Sequence, residues 1–342
     1  MNPLDRRRFL QAGVALAATP GIGACVGTAG EPLPPYPGAK PPPRNGFGSR
    51  STAEKVTGGI NLAGRTILVT GATSGIGYET LRVLALRGAH VIGTGRTLGK
   101  AIAAFDGIKG QVTPLALELE DWDSIRACAD EVRGIGVPLD ALICNAGIMA
   151  LPEREQVRGI EKQFAVNHLG HFILVNRLMA QVKAAPAGRV VVVGSRAYRT
   201  VPEGGIQFDN LSGERNYGPG TAYGQSKLAN YLFTRELARR LRGSPATANC
   251  LHPGIIITNI VRHLPAWQQR GAQVFGWTFA KTVEQGAATS CYVATAPALD
   301  GVSGYFFSDC NPVKPAGPYM EDDALSARLW RVSEQLTSHA LI

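Results

Sequence analysis

A tyrosine and a lysine four residues apart, in the sequence YGQSK, have the chemistry to move a proton at a bound substrate. Tyr223 and Lys227 share one face if this stretch is helical, because residues i and i+4 are neighbours on a helix. A free tyrosine has a pKa of about 10 and is a poor base at neutral pH, but an adjacent ammonium favours the phenolate. We therefore expect Lys227 to lower the Tyr223 pKa and the pair to act as the acid and base of a hydride transfer.

A glycine-rich stretch, LVTGATSGIGYETLRVLALRG, joins a strand-like run to a helical pattern. Its glycines, Gly71, Gly75 and Gly77, allow a tight turn and a close backbone approach, and the amides that begin the helix suit a pyrophosphate. The strand–turn–helix context is what distinguishes this pattern from a chance spacing of glycines. The sequence predicts a nucleotide site at this junction, which also contains Thr73, Ser74 and Ile76.

The end of the next strand-like run, VIGTGRT, favours one nucleotide over another. An NAD-preferring site places a carboxylate here for the ribose 2′-hydroxyl, whereas this chain has Gly95 followed by Arg96. A guanidinium pairs with a 2′-phosphate that a carboxylate would repel. The pattern therefore favours NADP(H), the alternatives being NAD and an ordinary surface arginine at position 96.

Short β-branched runs alternate with longer amphipathic stretches from residue 65 onward, and this alternation predicts the positions of the strands and helices. Strands are predicted at 65–70, 90–95, 111–119, 139–147, 188–195, 247–253 and 303–309, and helices at 75–88, 122–132, about 159–183, 221–241 and 283–295. The wholly apolar strand at 188–195 should be covered on both faces. Repeated strand–helix units predict an α/β fold, a doubly wound parallel sheet of the Rossmann type in a single domain.

Composition narrows the classes of function. The chain has 342 residues, a net charge of +9, 45% apolar and 18% charged residues, as expected of a globular protein. Its arginines are scattered, as in RELARRLRG at 235–243, which predicts a solvated helix face and no nucleic-acid site. None of the six cysteines forms a CxxC pair, so no metal site is predicted, and no spacing demands a disulfide.

The first residues, LDRRRFLQAGVALAATPGIGAC, have the order of an export signal. Arg6 and Arg7 followed by Phe9 and Leu10 resemble the twin-arginine type, the alternative being a disordered basic tail. The run IGAC resembles a lipoprotein cleavage box, which would make Cys25 a lipid anchor; ordinary cleavage nearby fits equally well. We therefore expect an exported protein, periplasmic or membrane-anchored, and a cytoplasmic one if the signal is not used.

These features divide the chain into a signal segment at 1–30, a Pro-rich linker at 31–55 and a nucleotide-binding domain at 56–342. Proline at the density found in the linker favours an extended chain, so this segment is predicted to be a spacer or disordered.

The motifs TGATSGIG, NAG, YGQSK and HPG together resemble those of the short-chain dehydrogenase/reductase family, from about Leu62 to the C-terminus. Longer stretches are similar to its retinol dehydrogenase and WW-domain oxidoreductase branch: QFAVNHLGHFILVNRL at 163–178, AYGQSKLANYLFTRELARRL at 222–241, EQGAATS at 284–290 and SGYFFSDC at 303–310.

The resemblance implies a role for each matched residue. Tyr223 would donate and accept the proton, and Lys227 would hold the nicotinamide ribose. Ser195 would hydrogen-bond the substrate oxygen, and Asn167 would hold a water in the proton relay. Further cofactor contacts are implied for Leu119, Asn145, Ala146, Gly147, Pro253 and Thr258.

The chain departs from the family pattern at two positions. Gly194 stands where the family often has a first serine of a pair, and the retained Ser195 is the one that matters for chemistry. Glu118 stands where a family aspartate usually touches the adenine.

The resemblance implies an NADP-dependent oxidoreductase that interconverts a hydrophobic alcohol and its aldehyde or ketone. Aromatic residues at 264–279, namely Trp267, Phe275, Trp277 and Phe279, suit a large apolar substrate or, equally, a lid, a subunit contact or a membrane contact. The alternatives are reduction of a carbon–carbon double bond by the same residues and, from another class, a nucleotide-binding sensor without turnover. The family also suggests a homo-oligomer.

Overall fold

An eight-stranded sheet forms the centre of the computed structural model, which describes residues 35–256 and 280–341. Its strands are β1 (Thr66–Val69), β2 (His90–Gly95), β3 (Gln111–Ala116), β4 (Ala141–Cys144), β7 (Arg189–Val193), β8 (Thr247–His252), β9 (Phe306–Ser308) and β10 (Asn311–Pro312). The order across the sheet is β10-β9-β8-β7-β4-β1-β2-β3. All neighbours are parallel except the edge pair β9–β10, which confirms the predicted parallel sheet.

Helices cover both faces of this sheet. They are α1 (Ala53–Val56), α2 (Gly75–Leu86), α3 (Leu98–Phe105), α4 (Trp122–Gly134), α5 (Lys162–Phe164), α6 (Gly170–Arg177), α7 (Met179–Ala184), α8 (Pro219–Arg240), α9 (Val283–Thr295) and α10 (Asp323–Leu341). One apolar cluster joins the sheet to α4, α6, α8 and α10, and a second joins it to α1, α2, α3 and α9. Every residue of β7 is buried, as the apolar run predicts for a strand covered on both sides.

The helical stretch predicted from about residue 159 begins later and is irregular. A two-stranded hairpin, β5 (Gln156–Val157) and β6 (Ile160–Glu161), precedes it and turns at Arg158 and Gly159, both with positive φ. Glu161 then caps α5 by accepting from the backbone N–H groups of Gln163 and Phe164 at 3.0 and 2.9 Å. A π-helical turn, Ala165–Leu169, follows and runs into α6.

The Pro-rich stretch differs from the expected spacer, because its described part lies against the domain. Pro35 is buried and accepts at its carbonyl a hydrogen bond from Arg235 Nη2, at 3.3 Å. Farther along, the Asn45 side chain donates to the Cys310 carbonyl at 2.7 Å, and the Phe47 ring meets the Tyr292 ring edge-on. This stretch therefore makes specific contacts with the rest of the domain, and the folded body begins before residue 56.

Several sequence features lie outside the described residues: Arg6, Arg7, Phe9, Leu10, Cys25, Thr258 and the four aromatic residues at 264–279. Within residues 35–256 and 280–341, no helix has the length and apolar character needed to cross a bilayer. The five cysteines in this part of the chain are all buried and carry free thiols.

Candidate active site

A cavity of about 570 Å³ crosses the carboxyl ends of the central strands. It lies where the sheet order reverses between β1 and β4, the position at which doubly wound sheets bind their ligands. Predicted site residues that line it are Gly71, Thr73, Ser74, Gly75, Ile76, Gly77, Arg96, Glu118, Leu119, Asn145, Ala146, Gly147, Ser195, Tyr223, Lys227 and Pro253. Residues that the sequence placed on separate elements therefore share one cleft.

The glycine-rich loop has the geometry that a dinucleotide phosphate needs. Gly71 and Gly75 adopt φ values of 63° and 57°, which residues with a side chain rarely adopt. A methyl group at Gly77 would collide with the Gly71 carbonyl oxygen and the Asn145 amide. The helix α2 begins at Gly75, and the Ser74 side chain makes no capping hydrogen bond to its first turn. Free amides at a helix N-terminus, with no side chain in the way, fit a pyrophosphate.

Asn145 holds this loop from the neighbouring strand. Its Nδ2 donates to the carbonyl oxygens of Thr70 and Gly71, at 2.9 and 3.2 Å. Asn145 Nδ2 is therefore bonded to the backbone of the loop and fixes its shape.

The end of the cavity near Arg96 contains the residues that are expected to determine the preference between NAD and NADP. A Cβ on Gly95 would lie 2.6 Å from Thr73 Cγ2 and 3.2 Å from Ala101 N, so a carboxylate side chain does not fit there. Arg96 is exposed and borders the cavity. Burial, and then the Glu120 charge, raise the pKa of Glu118, while the Arg96 charge opposes them. The Glu118 carboxylate thus lies within the electrostatic reach of Arg96.

Tyr223, Lys227 and Ser195 meet at the opposite end. Tyr223 and Lys227 project from α8, whereas Ser195 follows β7 and caps a 3₁₀ turn by accepting from Ala197 N at 3.2 Å. Lys227 Nζ donates to the Val193 carbonyl at 3.0 Å and lies 5.6 Å from the centre of the Tyr223 ring. The hydrogen bond from Lys227 to Val193 holds α8 against the end of β7, so Ser195, which is distant along the chain, lies beside the Tyr223–Lys227 pair.

The expected lowering of the Tyr223 pKa is not what this arrangement gives. Burial raises the pKa of Tyr223 to about 12, and the Ser195 hydrogen bond opposes that rise. Burial lowers the pKa of Lys227 to about 8. The physical reason is that the ammonium is directed at the Val193 carbonyl, so desolvation of the phenol outweighs attraction to the cation.

Asn167 lies in the π-helical turn behind the cavity and is fully buried. Its Nδ2 donates to the Ile148 carbonyl and to Ser226 Oγ, both at 2.9 Å, and its Oδ1 accepts from Ile148 N at 2.9 Å. Both amide hydrogens are thus used by the protein, so the side chain does not donate to a relay water. What it does is fix the loop that follows Gly147.

Gly194 has a steric reason to differ from the serine pair of the family. A Cβ at this position would lie 2.7 Å from Cys250 Sγ and 3.0 Å from the Leu251 carbonyl oxygen. Cys250 therefore takes the volume that a side chain at 194 would need.

The sequence did not predict the apolar wall of the cavity. Ile148, Met149 and Leu151 belong to this wall, together with Ile255, which is 62% exposed. His252 also lines the cavity, and burial together with the Arg196, Lys281 and Arg199 charges lowers its pKa to about 3, against the opposing effect of Asp309. The HPG motif was the one sequence signal that could have indicated His252 as a cavity residue. The residues of the apolar wall lie in loops, which have no periodic hydrophobic pattern.

Comparison with known proteins agrees with this geometry. The family described as short chain dehydrogenase matches residues 65–269. Short-chain dehydrogenase TIC 32 B, chloroplastic, of Brassica napus is 40% identical over 307 residues, which cover 86% of this chain and 95% of that protein. Retinol dehydrogenase 14 of Mus musculus is also 40% identical, over 290 residues, 80% of this chain and 86% of that protein.

A crystal structure of an uncharacterized protein from Mycobacterium paratuberculosis superimposes with a TM-score of 0.66 at 35% identity. The match covers 86% of this chain and 98% of that one. With the fold, the nucleotide cleft and the Tyr–Lys pair in place, the chain belongs to the short-chain dehydrogenase family and is an NAD(P)-dependent oxidoreductase.

Proposed function

We propose that this enzyme uses NADP(H) to interconvert a hydrophobic alcohol and its aldehyde or ketone. One observation supports this best: Tyr223, Lys227 and Ser195 border one end of a cavity whose other end carries Arg96. The distance between the two ends is spanned by the glycine loop and the Asn145–Gly147 segment, which suit the phosphates and the nicotinamide end of a dinucleotide.

The side chains divide the proton chemistry between them. A bound nicotinamide nucleotide would supply the hydride acceptor or donor. With its pKa raised to about 12, Tyr223 is a neutral phenol at pH 7 and can donate its proton to a carbonyl oxygen. Ser195 hydrogen-bonds Tyr223 and can orient the same oxygen. Lys227 places a buried positive charge beside the phenol, which stabilises the phenolate left after proton transfer.

Substitution of Tyr223 tests the acid–base assignment. We expect Tyr223→Phe to abolish turnover, because the ring is kept and only the proton is lost, while the nucleotide Kd changes by less than about twofold. Full activity in this variant would contradict the role of Tyr223 as the proton donor.

Product analysis distinguishes alcohol oxidation from reduction of a carbon–carbon double bond. The absence of turnover with every substrate would favour the alternative of a nucleotide-binding sensor.

The NADP(H) preference rests on Gly95, where a carboxylate has no room, and on Arg96 at the cavity edge. A hydrogen bond to a charged group contributes about 1.5–3 kcal/mol, which corresponds to roughly 10- to 100-fold in Kd. Arg96→Ala should weaken NADP(H) binding by that factor and leave NAD(H) binding nearly unchanged. Lys100→Ala, four residues away, is the matched control for a general loss of positive charge. Equal weakening of both nucleotides would contradict the preference.

The apolar character of the substrate is inferred from Ile148, Met149, Leu151 and Ile255, which line the same cavity as Tyr223. A series of primary alcohols of increasing chain length tests it: kcat/KM should rise with length, since each buried methylene contributes about 0.8 kcal/mol. A preference for short polar alcohols would reject this part of the proposal.

We further propose that the protein is exported after folding, with its nucleotide bound, because the twin-arginine type of signal serves folded cargo. The test is the N-terminal residue of protein from fractionated cells, together with the nucleotide released on denaturation. Processed protein that holds NADP(H) supports export, with lipid on Cys25 as the anchored form. Uncleaved cytoplasmic protein rejects export and leaves the enzymatic proposal intact.

A further inference from the structure

The imidazole of His171 links two backbone segments beside the cavity. Its Nε2 lies 3.0 Å from Thr70 Oγ1, and its Nδ1 lies 3.2 Å from the main-chain carbonyl oxygen of Asn167. Thr70 immediately precedes the glycine loop, and Asn167 belongs to the π-helical turn. His171 itself is on α6, is buried and does not line the cavity.

The protons at this junction can be assigned by counting donors and acceptors. Thr70 Oγ1 accepts from two backbone amides, Asn145 N at 2.9 Å and Ala146 N at 3.0 Å, which fills both of its lone pairs. Its one hydroxyl hydrogen then has two acceptors in reach, His171 Nε2 at 3.0 Å and the Ile143 carbonyl at 3.4 Å. The nearer acceptor is the histidine.

If Thr70 donates to Nε2, that nitrogen carries no hydrogen, and the ring hydrogen lies on Nδ1. Nδ1 then donates to the Asn167 carbonyl, the acceptor it faces. A doubly protonated ring would leave Nε2–H facing a hydroxyl whose lone pairs are already occupied, so the cation does not fit this site.

We propose that His171 is a positioning residue of the hydride-transfer site, held as the neutral tautomer protonated on Nδ1. In this form it aligns the Thr70 hydroxyl so that the backbone of Asn145 and Ala146 is fixed along the cavity. At the same time it fixes the main-chain carbonyl of Asn167. The proposal extends the proposed function, because it assigns the geometry of the same site to a residue behind it.

The charged and titratable groups around His171 agree with a neutral ring. Lys227 faces it from α8, and His168 faces it from the π-helical turn. Burial, together with the Lys227 charge, lowers the pKa of His171 to about 4, although the hydrogen bond to Asn167 opposes this. A second cation at this position would also disfavour the ammonium of Lys227, on which the reaction depends.

The chain contains a matched control three residues away. His168 is equally buried, but its Nε2 lies 2.8 Å from Ser333 Oγ of α10 and its ring packs edge-on against Phe164 and Phe233. It does not line the cavity. Loss of His168 therefore removes a buried imidazole without removing a link to the nucleotide site.

The first test needs no turnover and uses the complete wild-type protein. Long-range ¹H–¹⁵N spectra distinguish the two neutral tautomers and the imidazolium. We expect His171 to show an unprotonated Nε2 and a protonated Nδ1 that persist from about pH 5.5 to about 9, unlike a free histidine with a pKa of about 6.5. An Nε2–H tautomer, or titration near pH 6.5, overturns the proposal.

The second test compares matched variants by nucleotide affinity. His171→Phe should weaken nucleotide binding by about 3- to 10-fold, the equivalent of one net hydrogen bond, whereas His168→Phe should change it by less than about twofold. Thr70→Val, which also removes the acceptor of Asn145 N and Ala146 N, should weaken binding at least as much as His171→Phe. Thr70→Ser should keep wild-type affinity, and the double variant His171→Phe/Thr70→Val should be no weaker than Thr70→Val alone.

Equal loss of affinity in the His168 and His171 variants would mean a purely structural role and overturn the proposal. If either variant fails to fold, the tautomer measured in the wild-type protein still decides. The absence of turnover with every alcohol and carbonyl substrate would reject the proposed function, but it would leave both of these readouts unaffected.

Discussion

The positions that shape the cavity most strictly are those at which a side chain does not fit. A Cβ on Gly95 meets Thr73 and Ala101, and one on Gly194 meets Cys250 and the Leu251 carbonyl. Glycine at 95 excludes the carboxylate of an NAD-type site, and glycine at 194 excludes the first serine of the family pair. Both departures are visible in the sequence, but their cause depends on neighbours that are distant along the chain.

The steric role of Gly194 can be measured. Gly194→Ala should destabilise the protein by about 1–3 kcal/mol, the usual result of overpacking, because its Cβ would lie 2.7 Å from Cys250 Sγ. Adding Cys250→Ala should recover part of this loss. Gly99→Ala, whose Cβ meets no atom within 4 Å, is the control and should be neutral or slightly stabilising. Denaturant unfolding measures the stability of all three variants. An unchanged unfolding midpoint for Gly194→Ala would contradict the packing argument.

The Tyr223–Lys227 pair predicts a directional pH dependence. Around pH 7 the phenol keeps its proton, since burial raises its pKa to about 12, and Lys227, with a pKa of about 8, is mostly charged. Carbonyl reduction should therefore be nearly constant around neutral pH and decline above about pH 8 as Lys227 loses its charge. Alcohol oxidation, which needs a base, should instead increase as the pH rises from neutral.

The pH profiles of kcat in both directions test this, with Lys227→Arg as the control. Arginine stays charged well above pH 10, so the alkaline decline of carbonyl reduction should disappear in whatever activity that variant retains. A decline at the same pH in Lys227→Arg would show that another group is responsible.

At the scale of elements, the sequence predicts every parallel strand and the helices α2, α4, α8 and α9, whereas the helices α3 and α10 were not predicted. The helix α9 has the predicted bounds, and β2 spans the six residues of its apolar run. The hairpin at residues 156–161 and the π-helical turn were not predicted. Two-residue strands carry no periodic pattern, and a π-helical turn is stabilised by the tertiary hydrogen bonds of residues such as Asn167.

One such bond supports the apolar wall of the cavity from the start of α5. Gln163 Oε1 accepts from Ala150 N at 2.7 Å, and its Nε2 lies within 3.4 Å of Tyr217 Oη and 3.3 Å of the Pro219 carbonyl. Ala150 has a φ of 50°, a left-handed conformation that costs an L-residue about 1–2 kcal/mol. The segment between Met149 and Leu151 is therefore held in a strained shape by a side chain of another element.

Gln163→Leu should release this segment. We expect the KM for the carbonyl substrate to rise several-fold, while kcat and the nucleotide Kd change by less than about twofold, because only the substrate wall moves and the loss is about one hydrogen bond. Gln181→Leu is the matched control: its buried Oε1 has no hydrogen-bond partner among the described residues, so its removal should leave all three constants unchanged. A fall in kcat at unchanged KM would show that Gln163 acts on the chemistry instead.

At the scale of the whole molecule, the unexpected feature is the Pro-rich stretch that lies on the edge of the sheet. Its composition predicts a spacer, but composition does not reveal whether such a segment has partners within the folded domain. The partners are more than 260 residues away: Asn45 bonds the Cys310 carbonyl, and Asn311 Nδ2 donates to the Phe47 carbonyl at 2.7 Å. Pairing of this kind cannot be read from local pattern, since neither asparagine has a distinguishing neighbour.

Asn45 also supports a strained turn, which makes its contribution measurable. Asp309 and Cys310, between β9 and β10, both have positive φ, at 54° and 63°, and the Asn45 side chain donates to the Cys310 carbonyl in this turn. Asn45→Ala should lower the free energy of unfolding by about 1–3 kcal/mol, because it leaves a partly buried carbonyl without its donor. Asn61→Ala, which removes an exposed hydrogen bond within a turn, should cost less than about 1 kcal/mol. Equal effects in the two variants would mean that the Pro-rich stretch does not stabilise the folded domain. A larger loss of unfolding free energy in Asn45→Ala than in Asn61→Ala would show that the Pro-rich stretch is part of the folded domain and not only a linker to it.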